Sequence, residues 1–546
     1  MDSPLSLWAA ALGLVNHFFF HKYEPASAQI PVILLALEPP ALLSLVGGPL
    51  TFVRLLWTYF VFLATLGVSI ALYRLSPFHP LAEYPGPAIS KVTRLWDLYK
   101  ALYGYKYLYH KELHDKYGPY VRVGPNEVSI IEAEAVTQTL NFGGLDKGRY
   151  YESGRNPNTP PTVACSIGAA HTAKRRVWNR SMTSAAIREY DPVLEKRAQQ
   201  LVSCLRQQVG TVDFVHWIDL FAFDLMSDLA FGGGFEMMRD GRDNSRLGER
   251  IAGYMKAFFL PGQLPWIIPT LNLFPQMAKN LKEFNDFAEN LAMKRMQSGA
   301  AGSGTTMDLW YHLSDEAGVE KVKPTLAAAA GDGKVGIIAA SDTTASAMTC
   351  LVWSLCSNPD IYRRLQQEID SVFVDGVEDC FDANKHEELH FLTACMNETL
   401  RLYPPVLSNG TRQIRLGQEG RIIGGKFIPE GTSVSTPAYS LHRNPDYFYP
   451  GPDQFLPQRW LPDSKFERHN LTAFIPFSLG AANCVGQRFA KREMLSVMSL
   501  LLKSFEFKFA PDFDAQAWPK TMQDYYVTLR QPMRVVLNAR EGKHNV

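Results

Sequence analysis

The sequence predicts a mainly α fold with small β-sheets at its edges, preceded by N-terminal membrane segments. Three observations carry that prediction. Apolar residues recur at helical spacing over 188–208, 217–230, 279–297, 325–357, 359–373, 389–403 and 487–504. Strand-like runs are short: 120–123, 127–130, 421–428, 433–436, and the YYVTLR and MRVVL runs near the end. Residues 55–73 form 19 consecutive positions without a charge, close to the length that spans a bilayer.

The anchor comes first along the chain. Arg54 and Arg74 bracket the uncharged run, and Trp57 and Tyr73 sit near its ends as interfacial rings should. Two weaker apolar stretches precede it: 4–20, ending in Asn16, His17 and three phenylalanines, and 30–50, interrupted by Glu38-Pro39-Pro40. Asp2 and the lack of a leading basic region argue against a cleaved signal peptide. One span is expected, and three are compatible with the pattern. Lys91, Arg94, Lys100, Lys106 and Lys111 follow the last run, so the positive-inside rule places that side in the cytoplasm. Residues 1–76 therefore read as a membrane anchor in contact with lipid, and 77–546 as one globular domain.

The domain opens on PFHPLAEYPGP (77–87), whose four prolines read as a stiff hinge. SGAAGSGTT (298–306) reads as a surface loop, and Gly424-Gly425 as a hairpin turn. The body is long enough to bury a substantial core unaided. Lys+Arg 55 against Asp+Glu 54 leaves a net charge of +1, which gives no electrostatic basis for binding nucleic acid. Seven cysteines, odd in number and without a Cys-x-x-Cys pair, argue against a disulfide framework or a structural zinc site.

One of those cysteines requires a chemical explanation. Cys484 lies in FIPFSLGAANCVGQRFAKRE (474–493), with Phe477, Gly480 and Gly486 around it and a helical pattern starting just after. Glycines allow main-chain N–H groups to approach the sulfur, and a helix start adds donors and a positive dipole end that favour a thiolate. Such a sulfur can serve as nucleophile or as soft metal ligand. The bland alternative is a buried thiol in a glycine-rich turn.

The pattern F-x-x-G-x-x-x-C-x-G, with Ala490 and Glu493 following, resembles the haem-binding loop of the cytochrome P450 family. Three further matches stand in that family's order: Glu398-Thr399-Leu400-Arg401, Pro457-Gln458-Arg459-Trp460, and Ala339-Ala340-Ser341-Asp342-Thr343-Thr344 within the long central helix. The resemblance runs from the proline hinge to the C-terminus. It implies haem b (iron protoporphyrin IX), with Cys484 as the iron ligand and Phe477, Gly480 and Gly486 shaping its loop. It also implies that Asp342 relays protons from solvent and that Thr343 orients them at the oxygen site, with a back-bonding bend in a buried helix as the alternative. Glu398 and Arg401, at i and i+3, can pair, and Arg459 can close a network with them. His171 and Arg175, one helical turn apart, and Arg412 are the residues the family pattern would place on the haem propionates. Ala482, Ala340 and Gln458 depart from that pattern, so propionate binding leans harder on His171, Arg175 and Arg412.

Several further expectations follow from the resemblance. The protein looks like fungal, tryprostatin-hydroxylase-like enzymes of secondary metabolism that carry several N-terminal membrane segments. It would be a haem-thiolate monooxygenase using O2 and a small lipophilic substrate. Electrons would come from a separate NADPH-cytochrome P450 reductase, docked near Arg488, Lys491 and Arg492. The alternatives are a haem-thiolate isomerase or dehydratase, and a non-catalytic membrane haem carrier. Segments 150–168 and 257–276, apolar and irregular, would roof the pocket, with Ile337, Ile338 and Val406 lining it. The expected location is the endoplasmic reticulum membrane with the domain facing the cytosol, since a glycan at the Asn397 sequon, beside Glu398, would block folding.

Overall fold

The computed structural model describes residues 3–23, 28–154, 160–298, 307–374 and 376–540. Three N-terminal helices, α1 (Ser3–Lys22), α2 (Gln29–Val46) and α3 (Phe52–Leu75), are each long and apolar enough to cross a membrane. They pack as a bundle. α1 and α3 run parallel, because Trp57 Nε1 donates to Ser6 Oγ at 2.9 Å near one end and the rings of His21 and Tyr73 lie 4.5 Å apart at the other. Between them Gly13 allows close approach: a Cβ there would stand 2.8 Å from the Phe62 carbonyl oxygen.

α2 lies against both, with Asn16 Nδ2 donating to Glu38 Oε2 at 2.5 Å. It stays helical through Pro39-Pro40, where the sequence predicted an interruption. Pro40 has no N–H for the Ala36 carbonyl, and that oxygen accepts the Tyr59 hydroxyl at 2.5 Å instead. The start of α2 meets the globular domain, where Ala28 N–H donates to the Trp266 carbonyl at 3.3 Å.

The expected hinge is packed rather than free. Leu81 and Tyr84 are buried, Tyr84 Oη donates to Phe427 O at 2.8 Å, and Arg122 N–H donates to Pro85 O at 2.7 Å. Residues 77–84 fold into successive turns, with Ala82 N–H donating to His79 O at 2.8 Å, and Pro85 then lies beside strand β1 (Tyr120–Gly124), where its carbonyl accepts from Arg122. β1 and β2 (Glu127–Ile130) begin a five-stranded sheet in which Ser433–Ser435 runs parallel to β2, followed by Arg412–Gln413 and β3 (Asp146–Lys147). The 421–428 hairpin forms as expected, with Gly424 and Gly425 at φ 56° and 73° in its turn.

The central helix, Leu326–Ser357, crosses the core. Thr325 caps it by accepting from Ala328 N–H. It too is apolar and long enough to span a membrane, but 72% of its most apolar window is buried inside the domain. Phe214–Phe231 packs along it, and Gln487–Ser504 carries the chain away from the Cys484 loop beneath it. The segment read as an irregular roof is partly regular: Leu247–Gly262 is helical and Pro265–Leu273 is a 3-10 helix. The helix stops one residue after Pro261, which has no N–H to donate to the Ala257 carbonyl. The predicted loop beyond Ser298, and 155–159 of the other roof segment, lie outside the described residues.

Candidate active site

The Cys484 loop has a shape that glycine permits. Gly480 sits at φ +68°, and a Cβ there would stand 2.5 Å from the Leu140 carbonyl oxygen. Cys484 N–H donates to Phe477 O at 2.8 Å, which closes the loop. Burial raises the thiol pKa, while the Gly486 and Gln487 N–H groups and the Arg175 guanidinium pull toward thiolate. The residue is enclosed by the protein yet keeps exposed surface, which leaves open space beside it. A soft cation approaching from that side would supply the charge that a thiolate lacks here.

Beside this space stand four basic groups. Lys147 on β3 pairs across the sheet with Arg412. Burial, and then Arg412, lower the Lys147 pKa to about 8, and its Nζ donates to Val163 O and Ala164 O at 2.8 and 2.9 Å. His171 is pushed down to about 4, first by burial and then by Lys147, Arg175 and Arg412. Arg175 reaches across to the Cys484 loop, donating to Asn483 O and Asn483 Oδ1 at 2.5 Å each. Among the described residues no carboxylate pairs with any of the four. His171 is neutral near pH 7 and can only donate a hydrogen bond, whereas Lys147, Arg175 and Arg412 are enclosed cations without an anion, a cost that a ligand bearing two carboxylates would offset. An internal space with a cysteine sulfur on one side and an unpaired cationic pocket beside it fits haem. Lys147 escaped the sequence reading because only the pairing of distant strands brings it to Arg412.

The central helix supplies the acid and hydroxyl groups. Thr343 Oγ1 donates to Ala339 O at 2.5 Å and Thr344 Oγ1 to Ala340 O at 2.6 Å, the back-bonding pattern of a buried helix. The Thr343 oxygen still has lone pairs to accept with. Burial raises the Asp342 pKa to about 7, helped by Asp219 and opposed by Arg530, and its Oδ2 is buried with no partner among the described residues. Ile337 and Ile338 are buried, but at 100° per residue they stand about 120° and 140° round the helix from Thr343. Ala339, Ala340 and Gly336 lie closer to the Thr343 face. Val406 is half-buried in the turn after the Glu398 helix.

Glu493 has a larger part in the structure than its place in the motif suggested. Its Oε1 is 3.0 Å from Thr344 Oγ1, its Oε2 is buried without a partner among the described residues, and burial raises its pKa to about 8. The fold thus prefers neutral Glu493. The unfolded chain ionises it near 4.5, so its contribution to stability falls as pH rises from about 4.5 to about 8. Glu493→Gln keeps the neutral shape. Between about pH 5 and pH 8 the variant should lose less stability than the parent, by up to about 1.4 kcal/mol per pH unit. Parallel pH-dependent slopes in urea unfolding would contradict this.

The Glu398 network forms in full. Arg401 Nε and Nη2 donate to the two Glu398 oxygens at 2.8 Å each, and Arg459 Nε donates to Oε1 at 3.1 Å. Trp460 Nε1 and Leu456 N–H complete the set at 2.9 Å each. Arg401 also donates to His442 O at 2.8 Å, and the His442 ring accepts Ile475 N–H at 2.9 Å. The network thereby ties the Glu398 helix to the segment that enters the Cys484 loop. The expected basic landing face is reduced by one member. Arg488 and Lys491 are exposed, but Arg492 is bound to Asp191 at 3.0 Å and to Phe381 O at 2.6 Å, a cross-link between helices.

Comparison with known proteins agrees with this geometry. The family model for Cytochrome P450 matches residues 96–536. Cytochrome P450 67 of Uromyces fabae is 30% identical over 547 residues, covering 96% of this chain and 98% of that protein. Averantin hydroxylase of Dothistroma septosporum is 29% identical, covering 90% and 94%. Tryprostatin B 6-hydroxylase of Aspergillus fumigatus is 29% identical, covering 88% and 84%. With its cysteine loop, its Glu398–Arg401–Arg459 network and a match over most of its length, the chain belongs to the cytochrome P450 family of haem-thiolate monooxygenases.

Proposed function

We propose that the protein inserts one oxygen atom from O2 into a lipophilic small molecule of fungal secondary metabolism, with electrons from a separate NADPH-cytochrome P450 reductase. The observation that carries this reading is Asp342-Thr343 in the central helix, which a carrier or an isomerase would not need. Haem b would be held by Cys484, with its propionates among Lys147, His171, Arg175 and Arg412, and when bound it supplies the oxygen-activating redox chemistry. Asp342, with a pKa of about 7, is suited to hold and release a proton at neutral pH. Thr343 positions that proton, and Glu493 holds Thr344 from the opposite side. The hydroxylase names of two relatives support hydroxylation as the reaction class.

Residues 1–76 would anchor the enzyme in the endoplasmic reticulum membrane, with 77–546 as the haem domain in the cytosol. The parallel course of α1 and α3 supports three spans. It sets the start of α1 on the face opposite the domain and the end of α1 on the domain side, where the start of α2 also lies and Ala28 meets Trp266. The test is full-length protein in microsomes with a NADPH-cytochrome P450 reductase. The parent should resist alkaline carbonate extraction and consume O2 with NADPH. Thr343→Ala should divert electrons to hydrogen peroxide, raising peroxide per NADPH by about tenfold. Haem-loaded parent that consumes no O2 with NADPH would overturn the reading.

A further inference from the structure

The side of the central helix turned toward Phe214–Phe231 carries polar groups with nothing to bond. Asp342 Oδ2, Ser346 Oγ and Arg530 Nε are all buried without a hydrogen-bond partner among the described residues. Asp342 and Ser346 stand one turn apart, and the Cys350 thiol beside Ser346 is a poor partner. Thr349 continues the stripe, its Oγ1 accepting from Arg530 Nη1 at 3.1 Å. Arg530 Nη2 then reaches Asp219 Oδ1 on the facing helix at 2.5 Å. Ser341 Oγ donates to Ala222 O at 3.2 Å and pins the two helices together alongside.

Asp219 completes the pattern. It keeps 28% of its side-chain surface open, although it is enclosed enough for burial to raise its pKa. Buried polar atoms left without protein partners are normally satisfied by ordered water when the site is polar and has room. Here three such atoms lie along one seam, with an open carboxyl at its end.

We propose that this seam holds a chain of ordered waters joining Asp342 to Asp219, and that Asp219 is the residue through which Asp342 is resupplied with protons. The proposal rests on the monooxygenase reading for what Asp342 does with its proton. Asp342 gives a proton from its carboxyl toward Thr343. Asp219 then picks up a proton from solvent near Asp213 and His216 and passes it to a seam water, which gives one of its own to Asp342. No electron moves, and each carboxyl returns to its starting state. The charged groups facing Asp342 are Asp219 and Arg530; those facing Asp219 are Arg530, Asp213 and His216. Two enclosed carboxyls near a single guanidinium hold a shared proton more readily than two charges. Asp219 is a positioning residue here, since it touches no reacting atom. The rival source of protons is Glu493, which reaches Thr344 from the other side of the helix.

The test compares Asp219→Asn, Asp219→Glu and Ser346→Ala with the parent, each full-length in membranes with the reductase. Asp219→Asn should retain the haem content and the carbon monoxide difference spectrum of the parent. It should release about fivefold more peroxide per NADPH and show a larger solvent isotope effect on NADPH oxidation in D2O. Asp219→Glu should restore both values, and Ser346→Ala, which removes no charge, should shift them in the same direction. Peroxide yield and isotope effect equal to the parent's in Asp219→Asn would overturn the proposal and leave Glu493 as the source. Loss of the carbon monoxide spectrum would also overturn it, because Asp219 would then be structural. Infrared spectra of the resting protein need no turnover. The carbonyl stretch of the protonated Asp342 carboxyl, assigned by its loss in Asp342→Asn, should shift in Asp219→Asn. An unshifted band refutes the coupling even if the parent proves unable to use NADPH.

Discussion

Cys484→Ala is expected to abolish the thiolate-type Soret band of the reduced carbon monoxide complex and to reduce NADPH-dependent oxygen consumption to background. The sulfur is the soft ligand that the loop offers, and the Gly486 and Gln487 N–H groups favour its thiolate form. The fold should survive. Removing one sulfur from a position that already has open surface costs no more than about 1 kcal/mol. Some haem should still bind, because Lys147, His171, Arg175 and Arg412 remain to take its carboxylates. The variant is thus expected to show haem absorbance without thiolate character. Cys484→Ser separates ligation from packing, since it keeps the shape and offers a weaker donor. A thiolate-type band that persists in Cys484→Ala would mean another ligand. Cys165, half-buried near Lys147, would be the first to examine, although burial raises its own thiol pKa.

What could be read in advance was whatever the chain writes locally. Periodicity places the central helix at 325–357, and the structure has it at Leu326–Ser357. An i,i+3 spacing puts Glu398 and Arg401 on one face, and Gly-Gly between two short strand runs makes the 421–428 hairpin. Gly480 is legible because its φ of +68° and the Leu140 carbonyl beside it leave no room for a side chain. The remainder is set by partners far along the chain. Lys147 becomes part of the cationic pocket only because β3 pairs with Arg412. Arg492 looked like an exposed cation by helical spacing, yet Asp191 lies opposite it. Pro39-Pro40 looked like a break, but a tyrosine on a neighbouring helix takes the freed carbonyl. The 77–87 stretch read as a stiff hinge, and its packing depends on strand β1, which pairs Arg122 N–H with Pro85 O. Asp219 had no local signature at all, since nothing in its own helix reveals Arg530 or Asp342.

Glu398→Ala should have the largest effect on stability of any single change outside the Cys484 loop. The carboxylate accepts five N–H donors, and its side chain and those of Arg401 and Arg459 are 0% exposed. Alanine would leave two guanidinium groups buried without an anion, and Trp460 Nε1 and Leu456 N–H without an acceptor. Breaking a buried ion pair by removing one partner costs about 3–5 kcal/mol. That is a large share of the roughly 5–15 kcal/mol that holds a typical domain together. The exposed pair Arg363–Asp360 sets the scale at the other end: Arg363→Ala should cost less than about 1 kcal/mol. Damage at Glu398 should also reach the site before the whole domain unfolds. Arg401 holds the His442 carbonyl, His442 holds Ile475 N–H, and the Trp460 and Phe474 rings lie 4.4 Å apart at the entry to the Cys484 loop. Haem loss should therefore precede the urea midpoint in this variant, while the two coincide in the parent. Glu398→Gln tests charge apart from shape, because it keeps an acceptor but leaves both cations uncompensated. Burial alone would raise the Glu398 pKa, but Arg401 and Arg459 outweigh it and hold the carboxyl below its ordinary 4.5. The stability it provides is therefore present above about pH 4.5 and lost as pH falls through the folded-state value, a loss the glutamine variant should not show. If Glu398→Ala accumulated with full haem and a urea midpoint equal to the parent's, the network would be dispensable and the route from the Glu398 helix to Cys484 would have to run through other contacts.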